Sequence, residues 1–381
     1  MIPYGKHLVD EDDIDAVVDV LRNQFLTQGN VVPKFEQALC DYTGAKYCVA
    51  VNSATSGLHV ACLAAGVATG DSVWTVPNSF VASANCALYC GASIDFVDID
   101  PLTRNIDISA LEKKLQLAAI HNGLPKALIV VHFSGLSCDM QSIRRLTQMY
   151  SVVLIEDAAH GLGGSYQHTK IGSCVYSDMT VLSFHPVKSI TSAEGGAVLT
   201  NQNHIYEKLK LFAKHGVTKD SSLYQGASHG PWYYQQLELG YNYRLSDIHA
   251  ALGLSQLKKL DTFIHKRSEI AKVYDKALTH LPLKLPFVES QSQSAWHLYM
   301  VELTQHDRQD VYQKLHGKGV GVNVHYIPIH LQPYYQQLGF KQGDFPLSEH
   351  FYQNALTLPL FPSLTSGEQK MVIETLYEVL V

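Results

Sequence analysis

The stretch ALIVVHFSGLSCDMQSIRRLTQMYSVVLIEDAAHG, residues 127–161, places two short apolar runs on either side of an amphipathic segment. The runs, Ala127–His132 and Val152–Ile155, have the length and hydrophobicity of strands that are buried on both faces. The segment between them, Met140–Tyr150, has the periodicity of an amphipathic helix. A strand, a helix and a second strand in succession predict one unit of a parallel sheet.

The same alternation extends in both directions from this unit. Helices are predicted at Ser56–Ala65 and Ala82–Cys90, and five further short apolar runs predict strands at Tyr47–Val51, Ser72–Val76, Ile94–Val97, Thr180–Ser183 and Gly196–Thr200. With the first two strands these runs predict an α/β fold with a mainly parallel seven-stranded sheet, covered by helices on both faces. In such a sheet, ligands bind at the carboxyl ends of the strands.

The pattern changes after residue 257. A long charged helix is predicted at Lys258–Thr279, and it is followed by shorter elements: strands at His297–Leu303 and Val320–Val324, helices at Asp307–Leu315 and Thr365–Leu380. We therefore predict a large domain over residues 1–257 and a smaller α+β domain over residues 258–381, with the N-terminal segment as a candidate to pack on the smaller one. The polar, aromatic stretch Val217–Leu237 is predicted to be a long loop that carries function or an interface.

Composition narrows the class of protein. The net charge is −6 and basic residues are scattered, which argues against binding to nucleic acid or to an anionic membrane. The acidic N-terminal stretch does not resemble a signal peptide, and no apolar run approaches the roughly 18 residues of a membrane span. The seven cysteines include no Cys-x-x-Cys pair, so neither a metal site nor a disulfide framework is indicated. These features favour a cytoplasmic protein that acts on small molecules.

Three segments could carry chemistry, although each has a simpler explanation. The segment Asn52–Gly57 follows a strand and opens a helix, so its backbone N–H groups could bind a phosphate, or Ser53 could merely cap the helix. Asp157 ends a buried strand and could place a charge in a cleft or cap a turn. Lys188 follows another strand and could be an ordinary surface lysine.

The three segments are more informative together. A phosphate cradle, a strand-end Asp157 and a strand-end Lys188, 31 residues later, are the parts that a pyridoxal phosphate site requires. The lysine amine forms a Schiff base with the cofactor, and the aspartate pairs with the protonated pyridine nitrogen. The combination predicts a pyridoxal-phosphate-dependent aminotransferase.

The same segments resemble the sugar aminotransferases of the DegT/DnrJ/EryC/StrS family. The resemblance rests on Asn52–Leu58, Glu156–His160, Ser183–Lys188 with Glu194-Gly195-Gly196, and Gly240–Leu245, and it runs from Ile2–Lys6 to His325–Pro328. The sequence of residues 182–196 is most similar to that of the transaminases of pseudaminic acid biosynthesis. The resemblance implies fold type I, the aspartate-aminotransferase architecture, in a homodimer with active sites at the subunit interface.

The resemblance also assigns roles to individual residues. Lys188 is implied to be the Schiff-base lysine and the proton shuttle, and Asp157 to face the pyridine nitrogen. The remaining cofactor contacts are implied to come from the phosphate-binding Ala54, Thr55 and Ser183, the ring-covering Phe80, the ring-lining His160, and Asn242 from the partner subunit. The nucleotide-sugar contacts are implied to come from Tyr4, from Gln24, Phe25, Leu26 and Thr27, and from His325, Tyr326, Ile327 and Pro328.

The implied reaction moves the amino group of L-glutamate, which leaves as 2-oxoglutarate, to C4 of UDP-2-acetamido-2,6-dideoxy-β-L-arabino-hex-4-ulose. Ile327 departs from relatives that have a basic residue there, so Lys6, Arg22 or Arg244 is a candidate to meet the diphosphate. Arg244 could equally form a structural ion pair, and His132 is interpreted as a polar filler rather than a ligand.

Three alternatives are weighed against this reaction. A transaminase for the D-configured UDP-4-keto-6-deoxy sugar, on the route to bacillosamine or legionaminic acid, differs only in which face of the ketose is aminated. A dehydratase of the same family has His in place of the Schiff-base lysine, and Lys188 argues against it. A non-catalytic binding or regulatory protein is expected to lack Lys188, Asp157 or the cradle, and all three are present.

Overall fold

The structure is a computed structural model that describes residues 1–381. Its strands are β1 (Tyr47–Val51), β2 (Ser72–Thr75), β3 (Ser93–Phe96), β4 (Ala127–Val131), β5 (Val153–Asp157), β6 (Ser165–Tyr166), β7 (Thr169–Lys170), β8 (Met179–Ser183), β9 (Gly196–Thr200), β10 (Val217–Thr218), β11 (Gln235–Gln236), β12 (Leu283–Lys284), β13 (Ser292–Gln293), β14 (Tyr299–Leu303) and β15 (Ala355–Leu358). Its α-helices are α1 (Glu11–Asn23), α2 (Val31–Thr43), α3 (Ala54–Ala64), α4 (Ala82–Tyr89), α5 (Ile108–Ile120), α6 (Met140–Met149), α7 (Asn203–Ala213), α8 (Asp247–Leu257), α9 (Leu260–Leu278), α10 (Arg308–Gly317), α11 (Pro333–Gln336), α12 (Pro346–Asn354) and α13 (Ser366–Leu380).

A seven-stranded sheet in the order β1-β9-β8-β5-β4-β2-β3 forms the centre of the molecule. Strand β9 is antiparallel to both of its neighbours, and the other adjacent pairs are parallel. Every residue of β4, β8 and β9 is buried, because helices cover both faces of the sheet. The prediction of a mainly parallel seven-stranded sheet is confirmed, and each predicted strand end lies within two residues of its position in the structure.

Helix α3 shows how the sequence fixes the position of a helix next to the sheet. Ser53 has extended backbone angles, and its side chain accepts a hydrogen bond from the Ser56 N–H, so it caps the helix. Because the cap sits directly after β1, the helix begins two residues earlier than predicted. Its N-terminus therefore lies at the carboxyl end of that strand.

A second, three-stranded sheet in the order β12-β14-β15 lies in the C-terminal part of the chain. The N-terminal residues join this region: the Ile2 N–H donates to the Gly319 carbonyl at 2.8 Å, and the Gly321 N–H donates to the Ile2 carbonyl at 2.8 Å. The predicted strand Val320–Val324 is wrong. Only isolated bridges form there, because Val320 pairs with Ile2 whereas Asn323 pairs with Thr357. The segment therefore has no single partner along its length.

The predicted strand His297–Leu303 begins later, at Tyr299. The N–H groups of Ala295 and Leu298 bond to the carbonyls of Gly135 and Ser134, at 2.9 and 3.3 Å, and so are diverted from the second sheet. This diversion carries His297 toward the carboxyl edge of the central sheet. The division into domains at residue 257 remains a prediction.

Residues 217–239, here called the excursion, leave the body of the protein between Gly216 and Gly240. The excursion contains the short β10–β11 pair, a single 3-10 turn and irregular chain. At its base a Cβ on Gly216 would lie 1.8 Å from the Glu238 carbonyl oxygen, and a Cβ on Gly240 would lie 2.0 Å from the Gly216 nitrogen. The two ends therefore cross at a distance that only glycine permits. None of the helices in the chain combines the length and apolarity needed to cross a membrane.

Candidate active site

A cavity of about 460 Å³ opens at the carboxyl edge of the central sheet, in the size range of small-molecule sites. The central sheet, the N-terminal Tyr4 and two C-terminal stretches, at His297 and at residues 323–326, contribute to its walls. Ten of the residues predicted to bind cofactor or substrate line it: Tyr4, Ala54, Thr55, Phe80, Asp157, His160, Ser183, Lys188, His325 and Tyr326. The fold thus brings together residues that lie more than 300 positions apart in the sequence.

The other predicted contacts lie outside the cavity of this chain: Gln24, Phe25, Leu26, Thr27, Asn242, Ile327 and Pro328. Phe25 is 78% exposed, and the Leu26 carbonyl accepts a hydrogen bond from the Asp247 N–H at 3.0 Å. Asn242 is exposed and lies beside the start of the cradle, where its carbonyl is 3.5 Å from the Asn52 side-chain amide. Their roles in binding remain predictions.

The first turn of α3 forms the predicted anion cradle. The Ser53 side chain and carbonyl accept the N–H groups of Ser56 and Gly57, at 3.1 and 3.0 Å. The N–H groups of Ala54 and Thr55 have no partner within the helix, as expected for a first turn, and both residues face the cavity. These two donors, together with the helix dipole, suit a phosphate group.

Gly196 keeps the cradle close to the sheet. A Cβ at this position would lie 2.6 Å from the Ala54 nitrogen and 2.7 Å from the Ser53 carbonyl carbon, both of them backbone atoms. Gly196→Ala must therefore displace the N-terminus of α3. We expect this variant to bind pyridoxal phosphate about tenfold to a hundredfold more weakly, because charge-assisted hydrogen bonds to the phosphate are lost.

Fluorescence titration of the apoprotein with the cofactor measures this effect. The matched control is Gly317→Ala, where a new Cβ has no neighbour within 4 Å. An unchanged dissociation constant for Gly196→Ala would show that the cradle does not hold the phosphate.

Asp157 ends β5 and is buried at the cavity wall. The Ser83 hydroxyl donates to one carboxylate oxygen at 2.6 Å, and the Ala159 N–H donates to the other at 3.1 Å. These two bonds fix the orientation of the carboxylate while it still borders the cavity. An oriented, buried carboxylate can pair with a protonated ring nitrogen.

The neighbouring Glu156 points to the opposite side of the strand, as alternation along a strand requires. Its carboxylate lies 2.6 Å from His132 Nε2 and 3.0 Å from Thr180 Oγ1, and it also accepts from the Ser177 hydroxyl. Burial raises the pKa of Glu156, but these donors outweigh burial and hold the pKa below its usual value. His132 is therefore part of a buried network that joins the ends of β4 and β5 to β8.

Lys188 lies in the loop after β8, and no other lysine lines the cavity. Burial disfavours the ammonium form and lowers the pKa of Lys188 to about 8, although the carboxylate of Asp157 opposes the shift. A substantial fraction of the amine is therefore uncharged near neutral pH, and that fraction grows as the pH rises through 8. An uncharged amine is the form that attacks a carbonyl.

Aromatic and imidazole side chains form the wall opposite the cradle. Tyr326 Oη lies 3.2 Å from His160 Nε2, and the rings of Tyr4 and His325 are 5.2 Å apart. Burial and the charge of Lys188 keep the pKa of His160 well below its usual value and lower that of His325 to about 3. These imidazoles are therefore neutral hydrogen-bonding groups.

His297 is one further wall residue, which was not among the predicted contacts. Its ring centroid lies 4.2 Å from that of His160, and it also borders the cavity. It sits at the diverted start of β14, and no spacing or motif marked that position.

The residues present fit pyridoxal phosphate. The cradle offers two free N–H groups at one end of the cavity, Asp157 borders it with an oriented carboxylate, and Lys188 supplies an amine. The buried Nδ1 of His160 has no hydrogen-bond partner in the chain, as expected of a group that awaits a ligand.

Known proteins are similar to this chain over almost its whole length. Residues 7–377 match the DegT/DnrJ/EryC1/StrS aminotransferase family. A UDP-4-amino-4,6-dideoxy-N-acetyl-β-L-altrosamine transaminase of Campylobacter jejuni is 38% identical over 386 residues, which cover 100% of this chain and 98% of that protein.

Two solved structures are similar over their whole length. Helicobacter pylori PseC, described as an aminotransferase involved in the biosynthesis of pseudoaminic acid, has a TM-score of 0.90 at 34% identity and covers 100% of this chain and 99% of its own. The putative sugar aminotransferase Spr1654 of Streptococcus pneumoniae, in its PMP form, has a TM-score of 0.91 at 29% identity with the same coverage. The predicted fold class is thus confirmed, and the protein is an aminotransferase whose relatives imply pyridoxal phosphate as the cofactor. The chain belongs to the DegT/DnrJ/EryC1/StrS aminotransferase family.

Proposed function

We propose that this aminotransferase moves the amino group of L-glutamate to C4 of UDP-2-acetamido-2,6-dideoxy-β-L-arabino-hex-4-ulose, which gives UDP-4-amino-4,6-dideoxy-N-acetyl-β-L-altrosamine for pseudaminic acid biosynthesis. The observation that carries the proposal is the meeting of Lys188, Asp157 and the α3 cradle in one cavity. The sugar is proposed from the 38% identity to the C. jejuni transaminase over the full chain. We propose a cytoplasmic location because the substrate class is a nucleotide sugar.

Different residues of the cavity have different roles in the proposed reaction. When bound, pyridoxal phosphate supplies an electron sink for the carbanion that forms when a Cα–H bond breaks. Ala54, Thr55 and Ser183 hold the phosphate, and Asp157 keeps the ring nitrogen protonated. Lys188 Nζ would hold the cofactor covalently and would move the proton at Cα of the donor.

The two substrates use the cavity in turn. Glutamate gives up its amino group and leaves as 2-oxoglutarate before the sugar enters, so the kinetics are ping-pong. Tyr4, His325 and Tyr326 line the cavity and are the proposed contacts to the sugar. Phe80 lies at the mouth, 58% exposed, with its ring centroid 6.2 Å from that of Tyr326, where it can cover the cofactor ring.

The proposed assembly is a homodimer. The exposed positions of Asn242 and of residues 24–27 support this, because these predicted contacts lie outside the cavity of their own chain. In a dimer they can reach the cavity of the partner. None of the salt bridges within the chain involves Arg244, so Arg244 stays a proposed contact to the sugar diphosphate.

A substrate assay tests the proposal. The protein is incubated with pyridoxal phosphate, glutamate and either the β-L-arabino 4-ketose or the D-configured UDP-4-keto-6-deoxy sugar, and the amino sugar is identified by NMR. We expect product from the β-L-arabino ketose, with the amino group on C4. If only the D-configured ketose is converted, the protein serves the alternative route to bacillosamine or legionaminic acid.

A further inference from the structure

His297 reaches the cavity because the chain on either side of it is held against a loop of the central sheet. The N–H of Ala295 donates to the Gly135 carbonyl at 2.9 Å, and the N–H of Leu298 donates to the Ser134 carbonyl at 3.3 Å. The approach is close: a Cβ on Gly135 would lie 2.9 Å from the Trp296 nitrogen. The position of His297 is thus fixed by backbone contacts between the loop after β4 and the segment before β14.

The backbone on both sides of this contact is unfavourable. Trp296 has φ 48° and Ser134 has φ 53°, in the left-handed region that bulky or branched residues rarely adopt. Such conformations persist only where the surrounding structure enforces them, and they cluster at binding sites. The strain next to His297 therefore points to a role for its side chain.

A buried arginine holds the same segment from the other side. Arg267, on α9, is 2% exposed and has no carboxylate partner. Its Nη1 donates to the carbonyls of Trp296, His297 and Leu360, at 3.2, 3.3 and 3.0 Å. The guanidinium is used to fix the backbone of His297 and does not reach the cavity wall.

The imidazole of His297 is left free by these contacts. Its ring packs against His160 at 4.2 Å, and the buried Nδ1 of His297 has no hydrogen-bond partner in the chain. Burial, together with the nearby His160 and Lys188, keeps the pKa of His297 well below its usual value. The ring is therefore neutral and offers one N–H at the cavity wall.

No arginine of this chain lines the cavity, so apart from Lys188 the side-chain donors that the chain itself offers there to a carboxylate are uncharged. The proposed amino donor carries two carboxylates, and the keto sugar that follows it into the same space carries none at its reacting end. A fixed guanidinium would be left unpaired and desolvated whenever the sugar was bound. Neutral N–H donors can serve a carboxylate first and a hydroxyl or carbonyl oxygen afterwards.

We propose that His297 is a substrate-binding residue whose imidazole N–H donates to a carboxylate of the amino donor. The proposal rests on the proposed function, since it takes an acidic amino acid as the donor. His160, whose ring packs against that of His297, would bind the same carboxylate. Arg267 is a positioning residue, because it holds the backbone of His297 in place.

The test follows the donor half-reaction alone, without sugar, as the loss of the cofactor band near about 420 nm when glutamate is added. His297→Phe keeps the ring packed against His160 but removes the N–H. We expect the glutamate concentration at half-maximal rate to rise about tenfold to a hundredfold. The limiting rate and the affinity for pyridoxal phosphate are expected to change by less than about threefold.

His297→Gln, which restores an N–H donor, is the matched variant and is expected to recover most of the affinity for glutamate. An unchanged glutamate dependence in His297→Phe overturns the proposal, as does an equal loss in the Phe and Gln variants accompanied by weaker cofactor binding. If the wild-type protein itself does not react with glutamate, the proposed donor is wrong, and that result is distinct from a failure at His297.

Discussion

Replacing Lys188 with alanine is expected to lower kcat by at least about 10³-fold, since general acid–base and nucleophilic roles are lost together. No other lysine borders the cavity, so no neighbouring amine can take over the bond to the cofactor or the transfer of the proton. Burial lowers the pKa of Lys188 to about 8, so its amine is more readily uncharged than that of an exposed lysine. Binding of the phosphate to the α3 cradle is expected to survive.

Absorbance and product formation measure the two losses separately. The Lys188→Ala protein, mixed with pyridoxal phosphate, is expected to lack the band near about 420 nm that the wild-type protein shows. Lys114→Ala is the matched control, because burial also lowers the pKa of Lys114 but its amine pairs with Asp95 at 2.6 Å, away from the cavity. A Lys188→Ala protein with the wild-type band would place the covalent bond elsewhere.

Replacing Asp157 with asparagine is expected to lower kcat by about 10²- to 10³-fold, the effect of removing one group that stabilises developing charge. The amide keeps the shape of the carboxylate and can still accept from the Ser83 hydroxyl, which donates to Asp157 at 2.6 Å. It has no negative charge to hold a proton on the ring nitrogen. The loss should therefore appear in the chemical step more than in folding.

Single-turnover kinetics with glutamate test this, because they isolate the step in which the Cα–H bond breaks. Asp178→Asn is the control: Asp178 pairs with Arg144 at 3.0 Å and accepts the Leu154 N–H at 2.8 Å, so its loss weakens the fold without touching the cavity. A rate for Asp157→Asn within roughly threefold of wild type would remove Asp157 from the mechanism.

The central sheet was predictable because its strands are buried on both faces and stand out as short apolar runs. The same reasoning failed at Val320–Val324, which alternates valine with Gly321 and Asn323 but bonds to two partners, Ile2 and Thr357, that no local pattern reveals. Hydrophobicity shows that a segment is buried. Hydrophobicity does not show which other segment of the chain will pair with that segment.

The site was predictable to the extent that it lies at strand ends. Asp157 is the last residue of β5, Lys188 lies in the loop after β8 and the cradle follows β1, so the topology of a parallel sheet brings them to one edge. His297 depends instead on a contact between two loops, Ser134–Gly135 and Ala295–Leu298, with strained backbone on both sides. Such a contact arises from tertiary packing, and single-sequence periodicity carries no signal for it.

The glycine crossing at Gly216 and Gly240 fixes the two ends of the excursion independently of the residues between them. Where the chain leaves the body, the Gly216 N–H bonds to the Leu211 carbonyl, and where it returns, the Tyr241 N–H bonds to the Phe212 carbonyl, both at 2.7 Å. Both ends are thus tied to the last turn of α7, whatever lies between them. We therefore expect a chimera that keeps the two glycines to accept an insert of different length and sequence between them.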